Sequence, residues 1–100
     1  MLSGVTYDID ISKPVGSRIA NLSYDGAAMA PDQQFVVAVN NYRRSGGGGF
    51  PHVSEAPVVY QAQVEIRQAL IDHAAAAGTI DPATFFVDNW RLTREGVPVF

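Results

Sequence analysis

The residues from Asn40 to Phe50 have the chemistry to hold a ligand with a flat ring and a polar or anionic part. They read Asn-Asn-Tyr-Arg-Arg-Ser-Gly-Gly-Gly-Gly-Phe. The amides and arginines supply donors and positive charge, the four glycines allow sharp bends or close backbone approach, and Phe50 offers a flat apolar face. A nucleotide is one such ligand. The composition equally allows a mobile surface loop whose Phe50 packs into the core.

The chain shows little sign of metal, thiol or P-loop chemistry. The two histidines, His52 and His73, lack zinc-type spacing, and the chain has no cysteine for disulfide or thiol chemistry. His73 lies on an apolar helical stripe and is predicted to pack there, whereas His52 either reaches a ligand or is simply exposed. The glycine run lacks the Gly-Lys-Ser/Thr ending of a phosphate-binding P-loop. We therefore predict no catalytic residue and no metal ligand.

Asp8 and Asp10 are the acidic pair that most invites a metal interpretation. They alternate with Val5, Tyr7 and Ile9, as in a half-buried strand. No third carboxylate or histidine lies nearby in sequence. The pattern therefore favours a solvated strand face bearing both carboxylates over a metal site.

Length and charge limit the possible partners. The 100 residues suffice for one small domain or part of one, and 47% apolar residues indicate a packed chain. A net charge of −3 gives no electrostatic surface for long nucleic acid. No apolar run approaches the roughly 20 residues of a membrane span, so neither nucleic acid nor membrane is expected as a partner.

The elements that must position the loop can be predicted from periodicity and turn signals. A first strand near residues 5–11 precedes a second at 18–24, which the Asp25-Gly26 turn connects to a short return strand. The apolar run from Phe35 predicts a central strand over residues 35–41, buried on both faces. One main helix is predicted at about 62–77, ending at Gly78. Further strands are predicted at 58–60 and 85–93, and Gly96 and Pro98 are expected to loosen the end of the chain.

The segment from Asn40 to Pro51 resembles the nucleotide-binding loop in the C-terminal domain of bacterial 5'-nucleotidases and 2',3'-cyclic-nucleotide phosphodiesterase/3'-nucleotidases. Residues 3–19 and 31–38 are similar to the segments before that loop. The similarity extends from about Leu2 to Ile71 and, less specifically, over residues 90–92. It implies an α/β (α+β) fold with a mixed or largely antiparallel sheet and one main helix.

The resemblance also implies roles for individual residues. In the family two aromatic residues sandwich the base, and Phe50 matches the one that follows the glycines. The family has a ribose-binding carboxylate shortly afterwards, for which Glu55 is the nearest candidate. The partner aromatic belongs to an earlier part of the domain that this chain does not contain. The expected substrate-binding residues are Asn40, Asn41, Tyr42, Arg43, Gly46, Gly47, Gly48, Gly49, Phe50 and Glu55.

On this interpretation, residues 1–100 are one partial domain, the second half of a nucleotide-binding C-terminal domain. A divalent metal pair would lie in a separate N-terminal metallophosphoesterase domain, and no cofactor would bind to this chain. The isolated chain is expected to be inactive, and the full-length protein to act outside the cell, in the periplasm or at the cell wall. The alternative is a non-enzymatic α/β module that forms homodimers and uses the glycine loop as a passive connector.

Overall fold

The computed structural model describes residues 2–100, which fall into two compact units. The sheet unit consists of residues 2–33 and 82–100, and the loop–helix unit is Gln34–Asp81. Strands and helices are both present, so the predicted α+β class is confirmed. None of the helices formed by residues 2–100 is long and apolar enough to cross a membrane.

The sheet unit contains a five-stranded mixed sheet in the order β3-β2-β1-β4-β5. Its strands are β1 (Val5–Asp10), β2 (Ile19–Tyr24), β3 (Ala27–Ala28), β4 (Trp90–Arg94) and β5 (Val97–Pro98). The central strand β1 pairs antiparallel with β2 and parallel with β4. The other neighbours are antiparallel, which confirms the predicted mixed sheet.

Two tight turns close the outer hairpins. Asp25 and Gly26 have φ angles of 50° and 77°, and Glu95 and Gly96 have φ angles of 53° and 79°. Two successive positive φ angles produce the turn whose twist matches that of paired strands. The Asp25-Gly26 turn was predicted. The expectation that Gly96 and Pro98 loosen the chain end was wrong, because Glu95-Gly96 makes an equivalent turn that pairs β4 with β5.

The predicted solvated carboxylate face of β1 is also wrong. Asp8 and Asp10 retain 6% and 5% of their accessible surface, less than the 9% that Tyr7 in the same strand retains. Val5 and Ile9 are only half-buried. Burial of a carboxylate is unfavourable unless the group is paired or hydrogen-bonded, and alternation along one strand cannot show whether its neighbours supply such partners.

For Asp8 those partners come from both strands that flank β1. Arg91 on β4 places Nε 2.6 Å from Oδ1 and Nη2 3.3 Å from Oδ2. Asn21 on β2 donates its side-chain amide to Oδ2 at 2.6 Å. The hydrogen bond from Arg91, followed by the one from Asn21, holds the pKa of Asp8 below its usual range. The carboxylate therefore connects the three central strands.

Asp10 organises the end of β1 in a similar way. Its Oδ1 accepts hydrogen bonds from the Ser12 hydroxyl at 2.6 Å and the Ser12 amide at 3.0 Å. The backbone amide of Glu95 donates to the same oxygen at 3.2 Å. These bonds, led by that of the Ser12 hydroxyl, lower the pKa of Asp10 and fasten the β4–β5 turn to the end of β1.

The loop–helix unit contains two helices, α1 (Asn41–Arg44) and α2 (Ile66–Ala77), and no strand. The predicted strands at 35–41 and 58–60 are therefore wrong. Val36 is 80% exposed and Val59 is 71% exposed. An apolar run becomes a buried strand only if neighbouring strands pair with it, and the described chain supplies none here. The main helix was correctly predicted, although it begins at Ile66 rather than near residue 62, and Gly78 follows it with a φ of 71°.

The last predicted strand was placed too early in the sequence. Residues Pro82–Thr84 form a short 3-10 helix, and the amides of Phe85 and Phe86 donate to the Pro82 carbonyl. The two phenylalanines are 59% and 75% exposed instead of packing in a strand. Strand β4 begins only at Trp90, where pairing with β1 begins.

Replacement of Asp8 by asparagine should destabilise the protein mainly near neutral pH. Because the folded pKa of Asp8 is lowered, its ionised form contributes stability above the ordinary aspartate pKa of about 3.9. That contribution is lost as the pH falls through the lowered folded pKa. Urea unfolding from pH 7 to pH 2.5 should therefore show wild type and Asp8→Asn converging on acidification.

The matched control for this experiment is Asp32→Asn, which removes an exposed carboxylate from the same unit. It should change the free energy of unfolding little at any pH. A constant difference between wild type and Asp8→Asn across the whole pH range would contradict an electrostatic role for Asp8.

Candidate functional site

The loop that carries most of the predicted binding residues begins as a helical turn rather than as a strand end. Asn40 caps α1, and its side-chain oxygen accepts a hydrogen bond from the Arg43 amide at 2.9 Å. The Asn41 side-chain oxygen accepts one from the amide of Tyr42 at 3.0 Å. Asparagine is a favoured helix cap because this bond satisfies an otherwise unpaired donor. Both asparagines thus use their side-chain oxygens to shape the local backbone.

The glycine run continues the turn and reverses the chain. Gly46, Gly48 and Gly49 have φ angles of 94°, 80° and 64°, a region that glycine enters without steric cost. The backbone amide of Gly46 donates to the Arg43 carbonyl at 3.1 Å, and the amide of Gly47 donates to the Tyr42 carbonyl at 2.9 Å. The run is therefore a hydrogen-bonded turn with left-handed residues.

Two glycines are also required by close packing. A Cβ on Gly47 would lie 2.5 Å from ring carbons of Tyr42 and 2.6 Å from its carbonyl oxygen. A Cβ on Gly48 would overlap the guanidinium of Arg43 and approach the Phe50 ring to 3.1 Å. Side chains at these positions would push apart the groups that the turn brings together.

Arg43 is the centre of this arrangement. Its guanidinium carbon lies 4.6 Å from the centroid of the Phe50 ring and 5.5 Å from that of Tyr42. Its Nη1 donates a hydrogen bond to the Gly47 carbonyl at 3.1 Å. Distances below about 6 Å are those of cation–π contacts. One side chain therefore bridges the start of the loop, the glycine turn and the aromatic residue that follows.

Phe50 itself is held at the surface. The residue is 53% exposed, and Tyr42 is 62% exposed. The alternative in which Phe50 packs into the core is therefore wrong for this structure. A ring that contacts a guanidinium on one side and retains half its surface can stack against a planar ligand.

The turn after Phe50 is fastened by Arg44, a role that sequence reasoning missed. Its Nη1 donates to the Val53 carbonyl at 3.1 Å and also to the carbonyl of Ser54. His52 has a φ of 67°, and its carbonyl accepts a bond from the Ala56 amide at 3.0 Å. Glu55 lies exposed in this turn. In the sequence, the adjacent arginines indicated contact with an anionic ligand. No sequence signal indicated that Arg44 would bind backbone carbonyls of its own loop.

All ten predicted binding residues thus lie on one stretch, residues 40–55, within the loop–helix unit. The structure brings Tyr42, Arg43, Gly47, Gly48 and Phe50 together and places Glu55 in the adjoining turn. Binding of a ligand by these residues stays a prediction. Among residues 2–100, no three histidine, aspartate or glutamate side chains are grouped to hold a metal ion.

A cleft lies in the sheet unit, apart from the predicted binding residues. It has a volume of about 310 Å³ and includes Asp8, Asn21, Trp90 and Arg91 in its lining. Within the described chain, every buried side-chain polar atom has a hydrogen-bond partner. The ion pair between Asp8 and Arg91 forms part of the wall of this cleft, and none of the buried polar side-chain atoms in that wall lacks a hydrogen-bond partner.

Gly47→Ala should disrupt the loop while leaving the sheet unit intact. The added methyl group would meet the Tyr42 ring and backbone and so displace α1 from the glycine turn. Two-dimensional amide NMR should show large shifts for Arg43, Gly48 and Phe50, but little change for β1 and β4. Ser45→Ala, an exposed change in the same loop, is the control. Unchanged loop resonances in Gly47→Ala would show that this close packing is absent in solution.

The profile of the family described as 5'-nucleotidase, C-terminal domain, matches residues 1–55. The trifunctional nucleotide phosphoesterase protein YfkN of Bacillus subtilis (strain 168) is 40% identical over 92% of this chain. The 2',3'-cyclic-nucleotide 2'-phosphodiesterase/3'-nucleotidases of Haemophilus influenzae and Salmonella typhimurium are 32% and 33% identical over 92% of it. No solved structure matches.

The matched relatives are much longer than this chain. It spans 7% of the length of the Bacillus protein and 16% of the lengths of the other two. The profile match covers strands β1 to β3 and the glycine loop, and the pairwise similarities extend over most of the remaining chain. The chain therefore belongs to the family of 5'-nucleotidase C-terminal domains.

Proposed function

We propose that this chain is the nucleoside-binding part of a larger enzyme that hydrolyses nucleotides. The single observation that carries the proposal is the exposed Phe50 ring, held by Arg43 directly after a compact glycine turn. Family membership and the names of the relatives, which are nucleotide phosphoesterases, support the same substrate class.

In this proposal Phe50 stacks on the base, and the glycines let the backbone approach it closely. Stacking between a base and an aromatic side chain contributes about 1–3 kcal/mol. In the same proposal Glu55, which lies in the turn fastened by Arg44, would accept hydrogen bonds from the ribose hydroxyls. Amides and arginine donors of residues 40–44 that are free of loop contacts would complete the substrate contacts.

Hydrolysis is assigned to another domain of the larger protein. A divalent metal pair there would activate water and stabilise charge on the phosphate ester. Binding of the base, remote from the phosphorus atom, would position the ester on the metals. We accordingly propose that the 100-residue chain alone lacks phosphoesterase activity and that the larger protein is secreted to the periplasm, cell wall or medium.

Phe50→Ala should weaken nucleotide binding by the full-length protein by roughly 1–3 kcal/mol, the scale of one base stack. Phe50→Tyr should have a mild effect, because the ring face is retained. Phe86→Ala removes a phenylalanine that is more exposed, at 75%, and serves as the matched control. The measurement is the KM for a nucleotide beside that for a phosphate ester without a base.

The base-free ester separates a binding role from a structural one. Stacking predicts that Phe50→Ala raises the KM for the nucleotide and leaves turnover of the base-free ester nearly unchanged. An equal loss with both substrates would disprove the stacking role and assign Phe50 to loop structure.

A second candidate function is a self-associating module without enzymatic activity. The observation that favours it is the exposure of large apolar side chains in the loop–helix unit, where no residue is buried. Val36, Val59 and Leu70 are 80%, 71% and 66% exposed. Contiguous exposed apolar surface is characteristic of interaction sites.

Self-association is testable by light scattering of the purified chain at micromolar concentration. We expect a dimer or larger species, shifted toward monomer by Val36→Lys, which places a charge in the proposed contact. Val15→Lys, at an 85% exposed position of the sheet unit, is the control. A monomer that unfolds cooperatively would eliminate this candidate.

A further inference from the structure

We infer that Arg43 is a positioning residue for Phe50, and that it affects the ligand through the ring rather than through a contact with the phosphate. The inference rests on the function proposed above. It also changes the expected role of Arg43, whose type and place in the sequence indicated a direct contact with the substrate.

The guanidinium has structural partners on three parts of the loop. Its carbon is 5.5 Å from the Tyr42 ring in α1, and Nη1 donates to the Gly47 carbonyl at 3.1 Å in the turn. Beyond the turn, the same carbon is 4.6 Å from the Phe50 ring. A side chain with these three contacts closes the loop on itself.

The four glycines next to Arg43 explain why the loop needs these side-chain contacts to hold its shape. Four successive glycines have a large conformational entropy and contribute no side chains of their own to pack. Gly48 passes so close to the guanidinium that even a methyl group would overlap it. The guanidinium thus fills the space inside the turn and limits the orientations of the ring that follows.

Orientation of the ring has a direct consequence for binding. A half-exposed phenylalanine after a flexible loop would lose rotational freedom when a base stacks on it, which reduces affinity. With Arg43 on one face, the ring is ordered before the ligand arrives and its other face remains for the base. The expected arrangement is guanidinium, phenyl ring and base in successive layers.

The choice of ligand distinguishes positioning from phosphate contact. Adenosine and adenosine 5'-monophosphate share the base and ribose, but only the second has a phosphate. A residue that orients Phe50 must affect both ligands by the same factor, whereas a residue that contacts phosphate affects only the nucleotide.

The test is a double-mutant cycle on the full-length protein with Arg43→Ala, Phe50→Ala and both changes together. Dissociation constants for adenosine and its monophosphate are measured by calorimetry. We expect Arg43→Ala to weaken both ligands equally, by roughly two- to fivefold, the scale of an exposed cation–π contact. In the Phe50→Ala background the same change should have no further effect. Arg67→Ala, on the exposed helix α2, is the matched control.

Arg43→Lys keeps the positive charge but loses the planar guanidinium that stacks on a ring. Arg43→Lys should therefore bind both ligands more weakly than the wild type does. This variant tests the inference even if Arg43→Ala fails to fold. Restoration by lysine of monophosphate binding alone would overturn the inference in favour of a phosphate contact.

Two further outcomes separate this inference from the function on which it rests. Suppose that Phe50→Ala weakens the binding of both ligands and that Arg43→Ala weakens it further in the same background. The positioning role of Arg43 is then overturned, and the base-stacking function stands. If Phe50→Ala changes neither affinity, the proposed function fails, and the inference fails with it.

Discussion

The sheet depends on the hydrogen bonds that the carboxylate of Asp8 accepts from the two neighbouring strands. This carboxylate receives two bonds from Arg91 on β4 and one from Asn21 on β2, so it connects both neighbours of the central strand. Arg91 is 83 residues away in sequence, and the parallel pairing of β1 with β4 brings it close. Because a buried carboxylate is unfavourable without such partners, this register of the three strands is the one that satisfies Asp8.

The loop–helix unit depends on polar contacts of another kind. None of its residues is buried, so apolar packing does not define the loop. Instead, the guanidinium groups of Arg43 and Arg44 bind backbone carbonyls on either side of Phe50. Arginine suits this task because its rigid, planar group offers several donors in fixed directions. The loop geometry therefore comes from side chains whose charge suggested a ligand.

This use of arginine changes the interpretation of the proposed nucleotide site. Several donors in residues 40–44 are used by the loop itself. The Arg43 amide donates to the side-chain oxygen of Asn40, and the guanidinium groups of both arginines donate to backbone carbonyls. The exposed aromatic ring is what remains most available to a ligand. Base stacking is consequently better supported by the geometry than phosphate binding, which is consistent with the proposal that another domain performs the hydrolysis.

Local sequence determined the features that depend on neighbouring residues alone. These include the alternating strand β1, the Asp25-Gly26 hairpin, the helix that ends before Gly78 and the glycine turn beside an aromatic ring. Each follows from backbone preferences or short-range periodicity, and the loop motif was sufficient to indicate the family. The matching Glu95-Gly96 turn carried the same signal and was overlooked.

Tertiary structure decided the features that depend on distant partners. Alternation in β1 could not reveal that Asp8 and Asp10 are buried, because Arg91 and the Glu95 amide reach them from the other end of the chain. The apolar run at residues 35–39 could not show that these residues form no strand in the described part of the chain. Residue types likewise showed that Arg43 carries charge near Phe50, but only the folded turn determined that the guanidinium lies against the ring. In each case local chemistry is visible in the sequence, whereas the partner that satisfies it is chosen by the fold.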